Sequence, residues 1–180
     1  ASRVARDLAR KMVFLTGPRQ AGKTTLALPL AEKFPGAQVL NWAVLADRRV
    51  ILAQSWAPAA KLLVFDEPHK MRDWKPWLTG VFDGRAPGQS ILVTGSARLE
   101  AFRQRGESLA GRYFVWHLQP VTVREWQTAR GVSPDEALTR LIERGGFPEP
   151  LLAQHADDAQ RRGVGAAAVV NQLAHYLGFA

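Results

Sequence analysis

Short apolar runs alternate with longer mixed segments along this chain, and several of the runs end in an abrupt change of side-chain chemistry. Met12-Val13-Phe14-Leu15-Thr16 is apolar, β-branched and aromatic, which predicts a strand buried on both faces. Lys61-Leu62-Leu63-Val64-Phe65 stops at Asp66 and Glu67, and reads as a central parallel strand with acids at its carboxyl end. Ser90-Ile91-Leu92-Val93-Thr94 runs into Gly95-Ser96, and Tyr113 to Leu118 is a further strand run. Between them lie helical spacings. Leu26, Ala27, Leu30 and Ala31 recur on one face of residues 25–33, predicting a helix that starts near Gly22. Asp73 as N-cap, Pro76 in the first turn and an apolar face of Trp77, Leu78, Val81 and Phe82 predict a helix covering the sheet. Trp74 and Trp77 read first as core packing, with stacking on a nucleobase as the alternative.

Further along, Thr122-Val123-Arg124-Glu125-Trp126 precedes Ser133-Pro134-Asp135-Glu136. In the latter the serine N-cap, the proline at the first helical position and the glutamate three residues after the cap open a helix to about Glu143, stopped by Gly145-Gly146. Phe147-Pro148-Glu149-Pro150 reads as an extended turn. The expected organisation is an α/β domain over residues 1–152, a five-stranded parallel sheet sandwiched by helices, with a short helical lid or linker from about residue 119. An unassigned, weakly patterned, alanine-rich segment follows over 153–180.

The first strand leads directly into Gly17-Pro18-Arg19-Gln20-Ala21-Gly22-Lys23-Thr24, a complete GxxxxGK[ST] phosphate-binding (Walker A) loop, followed by Thr25. Gly17 and Gly22 permit positive φ and close backbone approach, so that consecutive N–H groups can point at phosphate oxygens, and the helix that follows adds the positive end of its dipole. Lys23 supplies a point charge for β and γ phosphates, and the Thr24 hydroxyl stands where it can bind magnesium. Asp66 and Glu67 complete the set in the manner of a Walker B strand: Asp66 to hold the ion through water, Glu67 to polarise the water that attacks the γ-phosphorus. A glutamate beside the aspartate points to hydrolysis rather than transfer. The fold expected is that of a P-loop NTPase.

Composition narrows the setting. With 180 residues and 47% hydrophobic content, one domain with a real core is expected. The absence of cysteine excludes disulfides and thiolate metal sites. No secretory leader or long apolar run is visible, so a cytoplasmic protein with no membrane partner is expected, and Ala1 in place of an initiating methionine suggests a trimmed or excerpted N-terminus. A net charge of +8 and a pI near 10.6 raise nucleic acid as a partner. Arg3, Arg6, Arg10, Lys11 and Arg19, then Arg98, Arg103, Arg105 and Arg112, would form the attractive face, although no recognition helix is readable and nucleotide phosphates themselves call for positive surroundings.

The wording of these motifs resembles a family of prokaryotic AAA-type ATPases over roughly residues 8–152. The resemblance rests on Gly-Pro-Arg-Gln-Ala-Gly-Lys-Thr-Thr at 17–25, Leu-Asn-Trp at 40–42, Val-Phe-Asp-Glu-Pro-His-Lys at 64–70 and Asp-Trp-Lys-Pro-Trp-Leu at 73–78. Leu-Val-Thr-Gly-Ser-Ala-Arg at 92–98, Glu-Ser-Leu-Ala-Gly-Arg at 107–112 and Gly-Gly-Phe-Pro-Glu-Pro at 145–150 agree with it. Pro68, and Ala43 after Asn41-Trp42, depart from the usual pattern without touching the phosphate chemistry. The resemblance implies an AAA/RecA-like fold, ATP as nucleotide, with no guanine-reading Asn-Lys-x-Asp motif present, and magnesium. It implies that Thr94 or Ser96 contacts the γ-phosphate or the attacking water, a role that stands beside the plainer one of turn or cap residues. It also implies a homo-oligomer in which Arg112 reaches a neighbouring subunit's site, with Arg98, Arg103 and Arg105 as weaker candidates and a surface arginine as the plainer reading. Members carry a C-terminal domain, so this chain is expected to lack it, to be a fragment or to be a decayed copy. The function expected is Mg-ATP hydrolysis coupled to a conformational or remodelling task. A nucleotide-gated switch with negligible turnover and a DNA-associated ATPase are the alternatives.

Overall fold

Backbone hydrogen bonding in the parallel sheet brings together segments far apart in sequence, and the order in which it does so positions the phosphate loop. The computed structural model describes residues 3–96 and 109–153. Strands β1 (Met12–Gly17), β2 (Gln38–Asn41), β3 (Leu62–Asp66), β4 (Ser90–Ser96) and β5 (Tyr113–His117) form one all-parallel sheet in the order β2-β3-β4-β1-β5. The helices are α1 (Arg3–Leu8), α2 (Lys23–Ala31), α3 (Leu45–Ala53), α4 (Trp74–Asp83), α5 (Val123–Arg130), α6 (Pro134–Arg144) and α7 (Pro148–Leu152), with a 3₁₀ turn at Pro68–Lys70.

The period-two geometry of each strand divides its apolar run between two layers. Val13 and Leu15, Leu62 and Val64, and Leu92 face α1 and α2, where they pack with Val4, Leu8, Leu26 and Leu30. Met12 and Phe14, Leu63 and Phe65, and Ile91 and Val93 face α3 and α4, packing with Ile51, Trp74, Leu78 and Val81. Both faces are covered, which explains why these strands read as continuous apolar runs rather than as alternating ones. Trp74 and Trp77 belong to this second layer: the Trp74 ring lies 6.3 Å from Phe14, and Trp77 stands edge-on to Phe65 at 5.0 Å. Core packing therefore accounts for both indoles. Asp73 occupies the N-cap position of α4, but its side chain makes no capping bond.

Strand β1 lies between β4 and β5, so the chain leaves the carboxyl end of β1 toward one side of the sheet and returns to its other side only with β5. That reversal is where open α/β sheets form a crevice at their carboxyl edge, and residues 18–22 lie in it. Beyond β5, helices α5 to α7 build a small core of their own around Val121, Trp126, Ala137 and Leu151. Capping boxes Thr122–Glu125 and Ser133–Glu136 start α5 and α6, and the Ser133 bonds hold the Glu136 carboxyl below its ordinary range. The Val121 N–H donates to Gly146 O at 2.7 Å, closing the base of this unit.

One expectation is corrected. Residues 148–152 form a one-turn helix instead of an extended turn: Pro148 and Pro150 sit in the first turn, where a missing N–H costs no helical bond. Strand β2, which completes the expected five strands, and helix α3 have little pattern in the sequence. Gln38–Asn41 is a four-residue edge strand with only Leu40 fully buried, and so carries almost no apolar signal. Phe65, fully buried and in contact with both Trp56 and Trp77, is expected to cost about 3–5 kcal/mol on replacement by alanine. Ser133→Ala, which removes one exposed cap, should cost only about 1 kcal/mol. Urea denaturation monitored by circular dichroism measures both.

Candidate functional site

The phosphate loop is held by conformations that few residues tolerate. Gly17 has φ +148°, and a Cβ there would lie 2.1 Å from the Leu118 carbonyl oxygen, so the end of β1 and the exit of β5 touch backbone to backbone. Gln20 (φ 62°) and Gly22 (φ 88°) take the left-handed conformation and turn the chain into α2. No side chain caps α2 at Gly22, which leaves its first-turn N–H groups and positive dipole end facing the loop. Pro18, Arg19 and Ala21 complete the loop, with Arg19 exposed, and Thr25 lies in the first turn of α2.

Lys23 is buried inside this loop, 7% exposed, with Nζ donating to Gly17 O at 3.1 Å and to Pro18 O at 2.5 Å. Burial pulls its pKa below the ordinary 10.5; Glu67 and Asp66 work in the opposite direction, and Arg19 adds to the lowering. An ammonium kept dry, with neutral carbonyls as its hydrogen-bond partners, is poised for anionic oxygens, which form shorter and stronger bonds.

Beside it, Asp66 is 5% exposed and receives three neutral donors. Thr24 Oγ1 donates to Oδ2 at 3.1 Å, Asn41 Nδ2 donates to the same oxygen at 3.0 Å, and Thr94 Oγ1 donates to Oδ1 at 2.5 Å. Sheet register explains the meeting, since Asn41, Asp66 and Thr94 are lateral neighbours on β2, β3 and β4. The Asn41 amide has one consistent orientation: its Oδ1 accepts from Ala43 N–H at 2.8 Å, so Nδ2 must face Asp66. Asn41 was absent from the sequence candidates as a site residue, because without β2 nothing places it next to Asp66. Its sequence signal is the Leu-Asn-Trp motif at 40–42, which carries no role for the amide by itself.

Glu67 leaves β3 with φ 58°, a left-handed conformation for a non-glycine residue, while its N–H donates to Thr94 O at 2.8 Å. Its Oε2 lies 3.3 Å from Lys70 Nζ and 3.6 Å from His69 Nε2. Ser96 ends β4 in register with Gly17, at the mouth of the loop. Arg112 is elsewhere. It precedes β5 at the amino edge of the sheet, the end opposite the loop, and grips Asp83 through Nε (3.0 Å) and Nη2 (3.1 Å). That pairing lowers the Asp83 pKa and raises that of Arg112. Arg10 and Lys11, near the Phe114 ring, share the amino edge, whereas Arg19 lies at the carboxyl edge. Arg98, Arg103 and Arg105 lie outside the described residues.

A family model described as AAA domain matches residues 9–127. The chain belongs to that AAA family. This is a nucleotide-binding, ATPase-type family, and the five-stranded parallel sheet is of the P-loop kind. Relatives of this AAA domain include the uncharacterized proteins Mb2031c of Mycobacterium bovis and Rv2008c of Mycobacterium tuberculosis. Each is 32% identical over 165 residues, covering 88% of this chain. The aligned part is 35% of each relative, so the chain spans about a third of their length. Among the described residues no helix is long and apolar enough to cross a membrane.

Removing a donor from a buried carboxylate should be costly. Asn41→Ala and Thr94→Val are each expected to lower stability by about 1–3 kcal/mol, read from the denaturant midpoint of the nucleotide-free protein. Asn41→Asp should cost more than Asn41→Ala, because it sets a second carboxylate against Asp66.

Proposed function

We propose that this chain binds Mg-ATP through residues 17–25 and hydrolyses it to ADP and phosphate, with turnover coupled to a conformational or remodelling step. The observation that carries the reading is the convergence of Lys23, Thr24, Asp66 and Thr94 at the carboxyl ends of β1, β3 and β4. Structural metal cages use several His, Asp or Glu side chains, and among the described residues no such group of three or more exists. A hydroxyl and a carboxylate 3.1 Å apart are instead the sparse, hard-oxygen donor set that suits magnesium, which keeps several waters and takes its remaining oxygens from phosphates. The residues fit the ion. Thr24, whose residue is exposed, would bind it directly, and Asp66 through water. Bound there, the ion would neutralise charge on the β and γ oxygens.

The chain's own groups then have separate tasks. The Lys23 ammonium exchanges loop carbonyls for phosphate oxygens, whose negative charge offsets the cost of its burial. The uncapped first turn of α2 donates N–H groups to the same oxygens. Glu67 accepts a hydrogen bond from the attacking water and orients it toward the γ-phosphorus. Thr94 spends its hydroxyl on Asp66, so its task is to fix the metal-side carboxylate, leaving Ser96 at the loop mouth as the residue for a γ-phosphate contact. Arg112 lies at the far edge of its own sheet, and a transition-state role for it requires a neighbouring copy.

Phosphate release from ATP, followed with and without magnesium, tests the reading. Wild-type turnover should require magnesium. Glu67→Gln should lower kcat roughly 10²–10⁴-fold with ATP still bound, and Lys23→Ala should weaken ATP binding by roughly 10-fold to more than 100-fold, the cost of a charged hydrogen bond. Turnover that survives both substitutions would refute the assignment.

A further inference from the structure

Glu67 is held in place by its own turn. β3 ends at Asp66, the Glu67 N–H is tied to Thr94 O, and the left-handed φ of 58° sends the backbone into the 3₁₀ turn Pro68–Lys70, which closes with Lys70 N–H donating to Glu67 O at 3.1 Å. The turn returns two side chains to the residue that starts it. Lys70 Nζ and His69 Nε2 both approach Oε2 of Glu67, at 3.3 Å and 3.6 Å, and neither distance involves Oε1. The Glu67 side chain is 23% exposed, His69 7% and Lys70 44%, so the carboxylate is screened on the side of the turn while the lysine approaches from solvent.

We propose that Lys70 is a positioning residue for the reaction: its ammonium anchors Oε2 of Glu67, which fixes the rotamer of the carboxylate and leaves Oε1 to accept the hydrogen bond of the attacking water. This rests on the ATPase reading above. A glutamate on three rotatable torsions samples many orientations, and a base or water-orienting group that is misplaced by an ångström loses much of its effect. An exposed ion pair adds little to stability, so the value of this one lies in orientation. The alternative, a lysine that draws Glu67 out of the site, fits the surroundings less well. The Glu67 carboxylate acts on Lys23 in the loop, raising its pKa against the effect of burial, so the anchored carboxylate stays within electrostatic reach of the phosphate loop.

Two measurements on the whole chain test this. The first uses nucleotide-free protein with reductively dimethylated lysines, which keep their charge. The Lys70 methyl resonance, assigned through Lys70→Arg, is expected to shift in Glu67→Gln, and an unmoved resonance overturns the anchor whatever the turnover. The second compares steady-state kinetics of Lys70→Met and Lys70→Arg. Lys70→Met should lose at least tenfold in kcat with KM for ATP and the melting temperature within twofold and a few degrees of wild type, and Lys70→Arg should recover most of the loss. Wild-type kcat in Lys70→Met, a higher kcat, or a loss confined to KM would each overturn the proposal. A resonance that shifts in a wild-type protein without turnover would instead sink the hydrolytic reading while confirming the pair, so the two failures are distinguishable.

Discussion

The buried carboxylate of Asp66 is the constraint on which the site depends. A carboxylate removed from water is tolerated only when its lone pairs are met, and here the donors come from three separate parts of the chain: Thr24 at the start of α2, Asn41 at the end of β2 and Thr94 in β4. None of the three is near Asp66 in sequence. Each is brought there by strand register or by the turn out of β1, so the sheet must be correctly ordered before the acid can be buried at all. Fold and site are in this sense one problem. The same sheet order that stabilises Asp66 sets the phosphate loop at the reversal beside β1.

Lys23 presents the opposite charge under similar burial and is handled differently. Asp66 is saturated by side chains that stay where they are, whereas Lys23 rests on two carbonyls of its own loop, against the pull of desolvation. A rigid anion and an exchangeable cation, side by side, form a site that is stable in isolation yet gains from a polyanion. Glu67 follows a third pattern. It sits just outside the buried layer in a strained backbone conformation, approached by the buried His69 and the exposed Lys70 of the succeeding turn, as suits a group that must meet water.

Much of this was legible in the sequence, for identifiable reasons. Strands β1, β3, β4 and β5 announce themselves because a sheet covered on both faces needs unbroken apolar runs, and the loop announces itself because close backbone approach demands glycine at Gly17 and Gly22. The capping box at Ser133 is a local rule that local structure obeyed. What escaped was set by tertiary context. β2 is a short edge strand whose pairing with β3, and not its composition, makes it a strand, and Asn41 acquires its contact with Asp66 only through that pairing. The prolines at 148 and 150 look like helix breakers until their place in a first turn is known. Arg112 could be located next to a strand, but only the parallel register with β1 shows that it stands at the edge away from its own loop.

The central claim is that the buried ammonium of Lys23, together with Thr24 and Asp66, constitutes a site for the phosphates of a magnesium nucleotide. Isothermal titration of the protein with ATP, in magnesium and again in EDTA, measures this without reference to turnover. The account predicts binding at one site per chain that is strengthened by magnesium, and an Asp66→Ala variant that has lost the magnesium dependence. ATP affinity that is the same with and without magnesium in the wild type, or a magnesium effect that survives Asp66→Ala, would contradict it.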